Sequence, residues 1–570
     1  MRLTIKKINS FFKGILENWR MHLVFLVFLG LGCVCISRFF DLQVLNYDKF
    51  SAQAVAQAQF KQSDWQFLRG KIYFQDKNQK LIPVAINKNF PQIYAVPEEI
   101  ENPAETAQTI ANIMGLNAEE LANKFSKPDD LFELIQKKSD SVVAQKIKNL
   151  SLKGIYINDV TSRYYPYGEM ASQVLGYVKD DVTDFHGQYG LEKYYDSELS
   201  SESEAKGILS FLSLKNILFN NNNYDLVGTI DYNIQKKAEE LLKAGAEKWG
   251  AEKGNAIVIE PKTGRILAMA NYPNFNPNIY SKSSNSTYIN SSIQSTYEPG
   301  STFKVMTMAA GLETKKVTPQ TQYTDSGEVK VDDRTIRNWD LQAHGRQTMT
   351  DVIAKSLNTG VVFVENKMGH DLFYQYALKS HISKKTGIDL PGEVKGNINN
   401  LKGFQDVYFA TASFGQGITA TPLGILSIVS AIANKGVMMK PYIVEKMVSS
   451  DGGNETLVEP KEESRIMEEE TARLMRIMMT NSVDVNKAAA ITGYQVAGKT
   501  GTAQMPDEYG RYGNDTIHSF AGFAPAENPR FAILIKLDKP KADLAGATAI
   551  PIFKELAQFI LNYYEIAPTL

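Results

Sequence analysis

An uncharged apolar run extends from Met21 to Ser37, seventeen residues without Asp, Glu, Lys or Arg. As a helix it spans about 25 Å, slightly short of a bilayer core. Phe39 and Phe40 extend it if Arg38 snorkels to the headgroups. Residues 41–60 read as a polar-faced helix leaving that run. From Arg69 to Val96 the pattern shortens to strand-like runs (GKIYF, KLIPVAI, PQIYAV). Pro103 to Lys148 is Ala-, Glu- and Lys-rich at helical spacing, which predicts a small helical insertion over about 97–150. Strand-like runs return between Gly154 and Val178. The stretch Ser200–Asn223 ends in four consecutive asparagines and reads as a loop. At Val227 the pattern resets. Thr229 or Asp231 can cap a helix continuing through Glu239, Leu241 and Leu242. Strands and helices then alternate to a last amphipathic helix beginning near Pro551. A helix beside the first strands and another closing the chain suit a sheet covered on both faces, hence a multi-domain α+β or α/β protein.

The flanks of the apolar run give it a direction. Arg2, Lys6, Lys7, Lys13 and Arg20 precede it with one acid, Glu17. The positive flank predicts a cytoplasmic N-terminus and an extracytoplasmic bulk. Without a nearby Ala-x-Ala site, a retained anchor is the better reading than a cleaved signal. Both cysteines, Cys33 and Cys35, lie inside the run, so the exported part has no disulfide and must rest on a large core, for which 570 residues suffice. A net charge of −1 argues against general nucleic-acid binding. The six histidines show no metal-ligand spacing, so no metal and no cofactor are expected.

Candidate chemistry concentrates at Tyr297-Glu-Pro-Gly-Ser-Thr-Phe-Lys304, which opens an apolar helix. Pro299-Gly300 breaks the preceding chain, so a helix starting near Ser301 puts Ser301 and Lys304 on one face. A serine hydroxyl needs a base to become a nucleophile. A lysine desolvated against Val305, Met306, Met308, Ala309 and Ala310 loses its charge readily and can be that base. Alone the pattern decides little, since Ser203-Glu-Ala-Lys206 fits it too. Its company raises it: Ser356-Leu-Asn358 follows 55 residues on and Lys499-Thr500-Gly501-Thr502 another 143 on. Lys-Thr-Gly occurs three times. Lys262-Thr-Gly264 reads as a turn between two strands, and Lys385-Thr-Gly387 lies in a breaker-rich loop. Only Lys499 heads a strand whose small residues let a ligand approach closely.

These elements, in this order, resemble those of class B penicillin-binding proteins, the monofunctional D,D-transpeptidases of peptidoglycan synthesis. The resemblance extends over about residues 20–565. Arg69-Gly70-Lys-Ile-Tyr-Phe, Arg163-Tyr-Tyr-Pro-Tyr-Gly and Gly190-Leu-Glu192-Lys-Tyr-Tyr-Asp resemble the family's pedestal motifs, although Gln79 stands where a glycine is usual. Ser413-Phe-Gly-Gln-Gly-Ile-Thr resembles a stretch that packs near the active site, with Gly424 in place of the usual Gln just beyond. The resemblance implies a cytoplasmic tail (1–20), a transmembrane helix (21–40), an elongated mixed α/β pedestal (41–225) and a transpeptidase domain (226–570). The last would be a central antiparallel sheet covered by helices plus an all-helical subdomain.

By the same resemblance Ser301 is the nucleophile and Lys304 its base. Ser356 passes a proton, Asn358 holds Lys304 and the substrate amide, and Lys499, Thr500, Gly501 and Thr502 receive the substrate carboxylate. The N–H groups of Ser301 and Thr502 form an oxyanion hole. Arg69, Gly70, Arg163 and Glu192 are read instead as structural, a buried salt-bridge network between domains. Implied partners are D-Ala-D-Ala stem peptides, β-lactam antibiotics, the membrane, a multi-span glycan polymerase and division proteins. The Ser356-Leu-Asn358 form resembles septal more than elongation enzymes. A β-lactamase would need a second base, and no Glu-x-x-x-Asn element stands out between Asn358 and Lys499. A β-lactam sensor or scaffold is the rival from another class.

Overall fold

The computed structural model describes residues 19–41, 44, 69–127, 130–179, 186–200, 223–403, 405–450, 452–506 and 512–569. The polar helix expected over 41–60, Ser203 to Lys206 and most of the expected 200–223 loop lie outside these residues. The apolar run forms the helix Trp19–Phe40, whose Leu23–Phe40 segment has mean hydropathy 2.4 and is long and apolar enough to cross a membrane.

Two compact units divide the rest. The first includes Lys88–Ser162; the second gathers Leu68–Asn87 and Arg163–Leu570. The segment read as a 41–225 pedestal therefore contributes residues to both. In the first unit three helices, Pro103–Met114, Ala118–Phe125 and Ser141–Asn149, fill the span expected to be helical. Asn102, Asn117 and Asp140 cap them, each side chain accepting from a backbone N–H of the first turn. Ile110, Leu121 and Phe125 pack with Ala95 and Ile100 into a small core.

In the second unit the strand Ile72–Gln75 runs antiparallel to the start of Leu81–Ala95 and parallel to Tyr224–Asp231. Val444–Ser449 extends that sheet by pairing with Tyr224–Asp231. Asp231 caps the following helix, Tyr232–Trp249, accepting from Asn233 N and Ile234 N at 2.9 and 3.1 Å. Thr229, the other candidate cap, donates instead to Ile266 O.

The central sheet has five antiparallel strands, numbered in chain order: β1 Lys253–Ile259, β2 Ile266–Tyr272, β3 Ala497–Pro506, β4 Tyr512–Ala524 and β5 Phe531–Asp538. Their spatial order is β3-β4-β5-β1-β2. Lys262-Thr-Gly264 is the turn between β1 and β2, with Gly264 at φ 84°. One face is covered by the helices Tyr232–Trp249 and Ala549–Tyr563 through Ile234, Leu242, Phe553 and Leu556. The other carries a helical layer that includes Lys304–Glu313, Asn358–Met368 and Pro422–Ala433. Pro422–Ala433 is apolar all round because it is buried all round.

Candidate active site

Pro299 and Gly300 end an extended segment held by Tyr297 N donating to Ala420 O at 2.9 Å. Gly300 has φ +54°, a region open to glycine at low cost. The helix expected to begin at Ser301 begins at Lys304 instead; Gly300–Phe303 form a tighter 3₁₀ turn ahead of it. That turn is wedged against β3. A Cβ on Gly501 would lie 2.5 Å from Ser519 Oγ and 2.9 Å from Thr302 Cγ2, and one on Gly300 would lie 3.0 Å from Ala503 Cβ. Glycine at 501 is therefore what lets β3 approach the serine turn. The stretch Ser413–Thr419 packs behind the same turn, with Gly300 N donating to Gly415 O at 3.1 Å.

Ser356 caps the helix Met349–Lys355 in the left-handed region, φ 59° and ψ 41°. A non-glycine there costs roughly 1–3 kcal/mol and persists only where surroundings enforce it. Enforcement comes from a buried polar cluster that the sequence did not flag. Asn338 Oδ1 accepts from Asn358 N at 2.9 Å, while Asn338 Nδ2 donates to both Asp325 oxygens at 3.0 and 2.9 Å. Thr359 Oγ1 donates to Asp325 Oδ1 at 2.7 Å. Nothing in the local pattern near Asn338 marked it, because Asp325, Asn358 and Thr359 lie 13 to 21 residues away.

The two lysines converge on this turn. Lys304 Nζ donates to Ser356 O at 2.6 Å and lies 3.2 Å from Ser356 Oγ. Lys499 Nζ lies 2.9 Å from the same Oγ and also reaches Thr500 O at 3.2 Å. Both side chains are fully buried. Burial, and secondarily the neighbouring Lys499 charge, hold the Lys304 ammonium well below its ordinary pKa. Burial lowers Lys499 to about 7. Ser301, Ser356, Asn358, Thr500 and Thr502 line one cleft of about 1760 Å³, with the two lysines reaching up from beneath.

Two expected contacts differ. Ser301 Oγ has no hydrogen bond among the described residues, and Lys304 is engaged with Ser356. Asn358 Nδ2 donates to Arg337 O at 2.8 Å, and Lys304 Nζ donates to Ser356 rather than to Asn358 Oδ1. As the first residue of the helix Asn358–Met368, its side chain is turned toward the end of the Arg334–Arg337 strand. A further correction concerns the spacing of a second base. Glu393-Val-Lys-Gly-Asn397 does fit Glu-x-x-x-Asn, but Glu393 accepts from Thr386 N, Thr386 Oγ1 and Gly387 N and does not line the cleft. It serves the loop containing the second Lys-Thr-Gly.

Away from the cleft, Glu192 is wholly buried between Arg69 Nε at 2.6 Å and Arg163 Nε at 2.7 Å. Burial alone would raise its carboxyl, but the two guanidiniums outweigh it and hold the pKa below the ordinary value. Arg163 Nη1 donates to Gly70 O at 2.8 Å, and Gly70 leaves no room for a Cβ, which would sit 1.9 Å from Tyr224 O. Arg69, Gly70, Arg163 and Glu192 all belong to the second unit. The network is internal to that unit, not a bridge between two.

A serine turn, a strained serine and two buried lysines of lowered pKa thus meet at one cleft. The profile of the penicillin binding protein transpeptidase domain matches residues 254–558, and that of the penicillin-binding protein dimerisation domain matches residues 66–210. This chain belongs to the penicillin-binding protein transpeptidases. It is of the class B type. It is 33% identical over 505 residues to stage V sporulation protein D of Bacillus subtilis, covering 85% of this chain and 77% of that protein. It is 31% identical over 455 residues to the peptidoglycan D,D-transpeptidase FtsI of Buchnera aphidicola, covering 78% and 77%. Among solved structures, apo penicillin binding protein 3 of Mycobacterium tuberculosis is 29% identical, with TM-score 0.64 over 72% of this chain and 92% of that one.

Proposed function

We propose that this class B protein is a peptidoglycan D,D-transpeptidase that cross-links stem peptides during septal wall synthesis, through an acyl-enzyme on Ser301. The convergence of Lys304, Ser356 and Lys499 beside the Ser301 turn carries the reading. Lys304, its pKa lowered by burial, takes the Ser301 proton as the hydroxyl attacks the penultimate D-Ala carbonyl. The N–H groups of Ser301 and Thr502 receive the oxyanion, each worth roughly 3–4 kcal/mol. Ser356, between the two amines, relays a proton to the departing D-Ala nitrogen. Asn358 faces the cleft and serves the substrate amide. Lys499 with Thr500 and Thr502 holds the terminal carboxylate, and Gly501 keeps β3 close enough for both. An acceptor amine then displaces Ser301, forming the cross-link.

β-Lactams present the same acyl group in a ring, so Ser301 is expected to be trapped by them. The decisive experiment labels the purified protein with a fluorescent penicillin. Wild type is expected to become covalently fluorescent and Ser301→Ala to stay dark; a dark wild type, or a labelled Ser301→Ala, overturns the reading. Depletion in cells separates the septal role from elongation, filaments supporting the first and round cells the second.

The remaining architecture follows the same reading. Residues 1–20 are cytoplasmic and 21–40 cross the cell membrane. Residues 41–225 form a pedestal and 226–570 the extracytoplasmic transpeptidase domain. Glycan strands are supplied by a multi-span membrane polymerase that contacts the helix. Gly30 and Gly32 leave open space on that helix for close packing. Unchanged co-purification of the polymerase with a Gly30→Leu, Gly32→Leu double variant would remove that helix from the interface.

A further inference from the structure

A row of polar residues that the proposed reaction does not use crosses the central sheet. Following the registered pairs inward from the cleft edge, Gly501 stands opposite Ser519 and Ser519 opposite Lys536. Lys536 stands opposite Asn255, and Asn255 opposite Asn271. Registered partners share a face, so these five positions form one line beneath the helical layer. All four side chains are buried.

A polar line through a sheet built of Ile, Val and Ala costs stability unless its members are satisfied. At the far end the Asn255 amide nitrogen is satisfied, while its Oδ1 has no hydrogen-bond partner among the described residues. Asn255 Nδ2 donates to Asn271 Oδ1 at 2.8 Å and to Ser291 Oγ at 2.7 Å. In the middle, the Lys536 ammonium pairs with Asp538, two residues along the same strand. A pair within one strand ties no distant elements together. The contact that this ammonium makes across elements is with the face of Tyr297, at 5.1 Å from the ring centroid.

Tyr297 opens the segment that carries the nucleophile. Its hydroxyl is buried without a hydrogen-bond partner among the described residues, with Thr302 and Ser519 among its polar neighbours. Thr302 and Ser519 are the two side chains that press on Gly501. A continuous path of contacts therefore runs from Lys536 through Tyr297 to the seam between the Ser301 turn and β3.

We propose that Lys536 is a positioning residue for acyl transfer: its buried ammonium holds the Tyr297 ring, and through that ring sets the spacing between the Ser301 turn and Gly501–Thr502. This rests on the acyl-enzyme reading above. The cation touches neither substrate nor Ser301; it fixes where the two proposed oxyanion donors stand relative to each other. Donor placement matters more for the transition state than for ground-state binding, so the effect belongs in the acylation rate.

The test uses full-length protein in detergent and a concentration series of fluorescent penicillin, separating the dissociation constant of the non-covalent complex from the limiting acylation rate. Removing Lys536 alone would strand Asp538, so the variant is the pair Lys536→Met with Asp538→Asn. Expected is a limiting rate at least tenfold lower, a dissociation constant within twofold, and an unfolding transition no lower than wild type. Lys536→Arg, which keeps the cation, is expected to retain more of the rate than the pair. Tyr297→Leu is expected to show the same loss, with no further loss when combined with the pair. Rates within twofold of wild type, a loss confined to the dissociation constant, or losses that multiply each overturn the proposal. If the pair does not fold, Tyr297→Leu decides: an unchanged rate overturns it and a tenfold loss upholds it. Wild type that is never labelled sinks the acyl-enzyme reading as well. Labelled wild type with unaffected variants sinks this proposal alone.

Discussion

Two amines share one hydroxyl in this cleft, and their charge states decide what each can do. Lys304 is wholly buried and held well below its ordinary pKa. Burial therefore favours the uncharged amine that a base must be. Lys499 sits at about 7, near enough to neutrality to be recharged by an arriving carboxylate. The signs are opposite for the two roles. Acylation needs Lys304 neutral, so the rate rises as pH climbs through its lowered pKa. Carboxylate binding needs Lys499 charged, so the rate falls as pH climbs past that group. The second-order acylation constant should accordingly pass through a maximum and fall above the Lys499 pKa of about 7; a steady rise to pH 10 would contradict the assignment. Lys304→Gln, one bond shorter, with an amide donor but no base, should lose roughly 10²–10⁴ of the acylation rate at pH 7.

At the scale of the element, the active site is a problem of closely spaced backbone. The turn at Ser356 joins two helices through a left-handed residue, and Asn338 holds the start of the second helix by its buried side-chain oxygen. Asn338→Ala would leave Asp325 short of two donated hydrogen bonds and Asn358 N without an acceptor. That should cost roughly 1–3 kcal/mol in urea unfolding and slow acylation as Ser356 shifts. Gly501→Ala works from the opposite side. Its new methyl would meet Ser519 Oγ at 2.5 Å and force β3 away from the serine turn. The expected outcome is about 1–3 kcal/mol of destabilisation together with a loss of penicillin labelling. Ser519→Ala in the same protein should recover part of both, since it removes the nearer clashing atom.

Across the second unit, stability is concentrated in a few buried charges. Glu192 pairs with Arg69 and Arg163 at once, and Asp196 adds a second carboxylate on Arg69 at 2.7 Å. Glu192→Gln removes the charge that Arg69 and Arg163 share, leaving Arg69 only Asp196 at 2.7 Å, and should cost roughly 3–5 kcal/mol, measured as a shift in the denaturant midpoint. Glu239 behaves differently. Burial raises its carboxyl to about 7, although it accepts from Ala171 N at 2.6 Å and Gln235 Nε2 at 2.8 Å. Its folded pKa lies above the ordinary 4.5. Its contribution is therefore complete below about pH 4.5 and is lost as pH rises through about 7. Glu239→Gln should flatten the fall in stability between about pH 4.5 and 7; an unchanged slope would assign that fall to other groups.

The order of elements was legible along the chain because it is written locally. The apolar run of the N-terminal helix, the turn at Gly264, the cap at Asp231 and the strands around Lys499 each depend on neighbours a few residues away. The three motif segments could also be read, since their residue types and order are a property of the sequence. Contacts among them could not. That Lys304 engages Ser356, that Asn358 turns to Arg337, and that Asn338 and Asp325 brace the turn all join residues separated by 13 to 52 positions. The row from Gly501 to Asn271 depends on strand register, which hydrophobic pattern alone leaves open between strands buried on both faces. Local sequence determined which groups this protein possesses. Only the packing of distant segments, through burial and register, decided which amines lose their charge and which backbone stands within reach of Ser301.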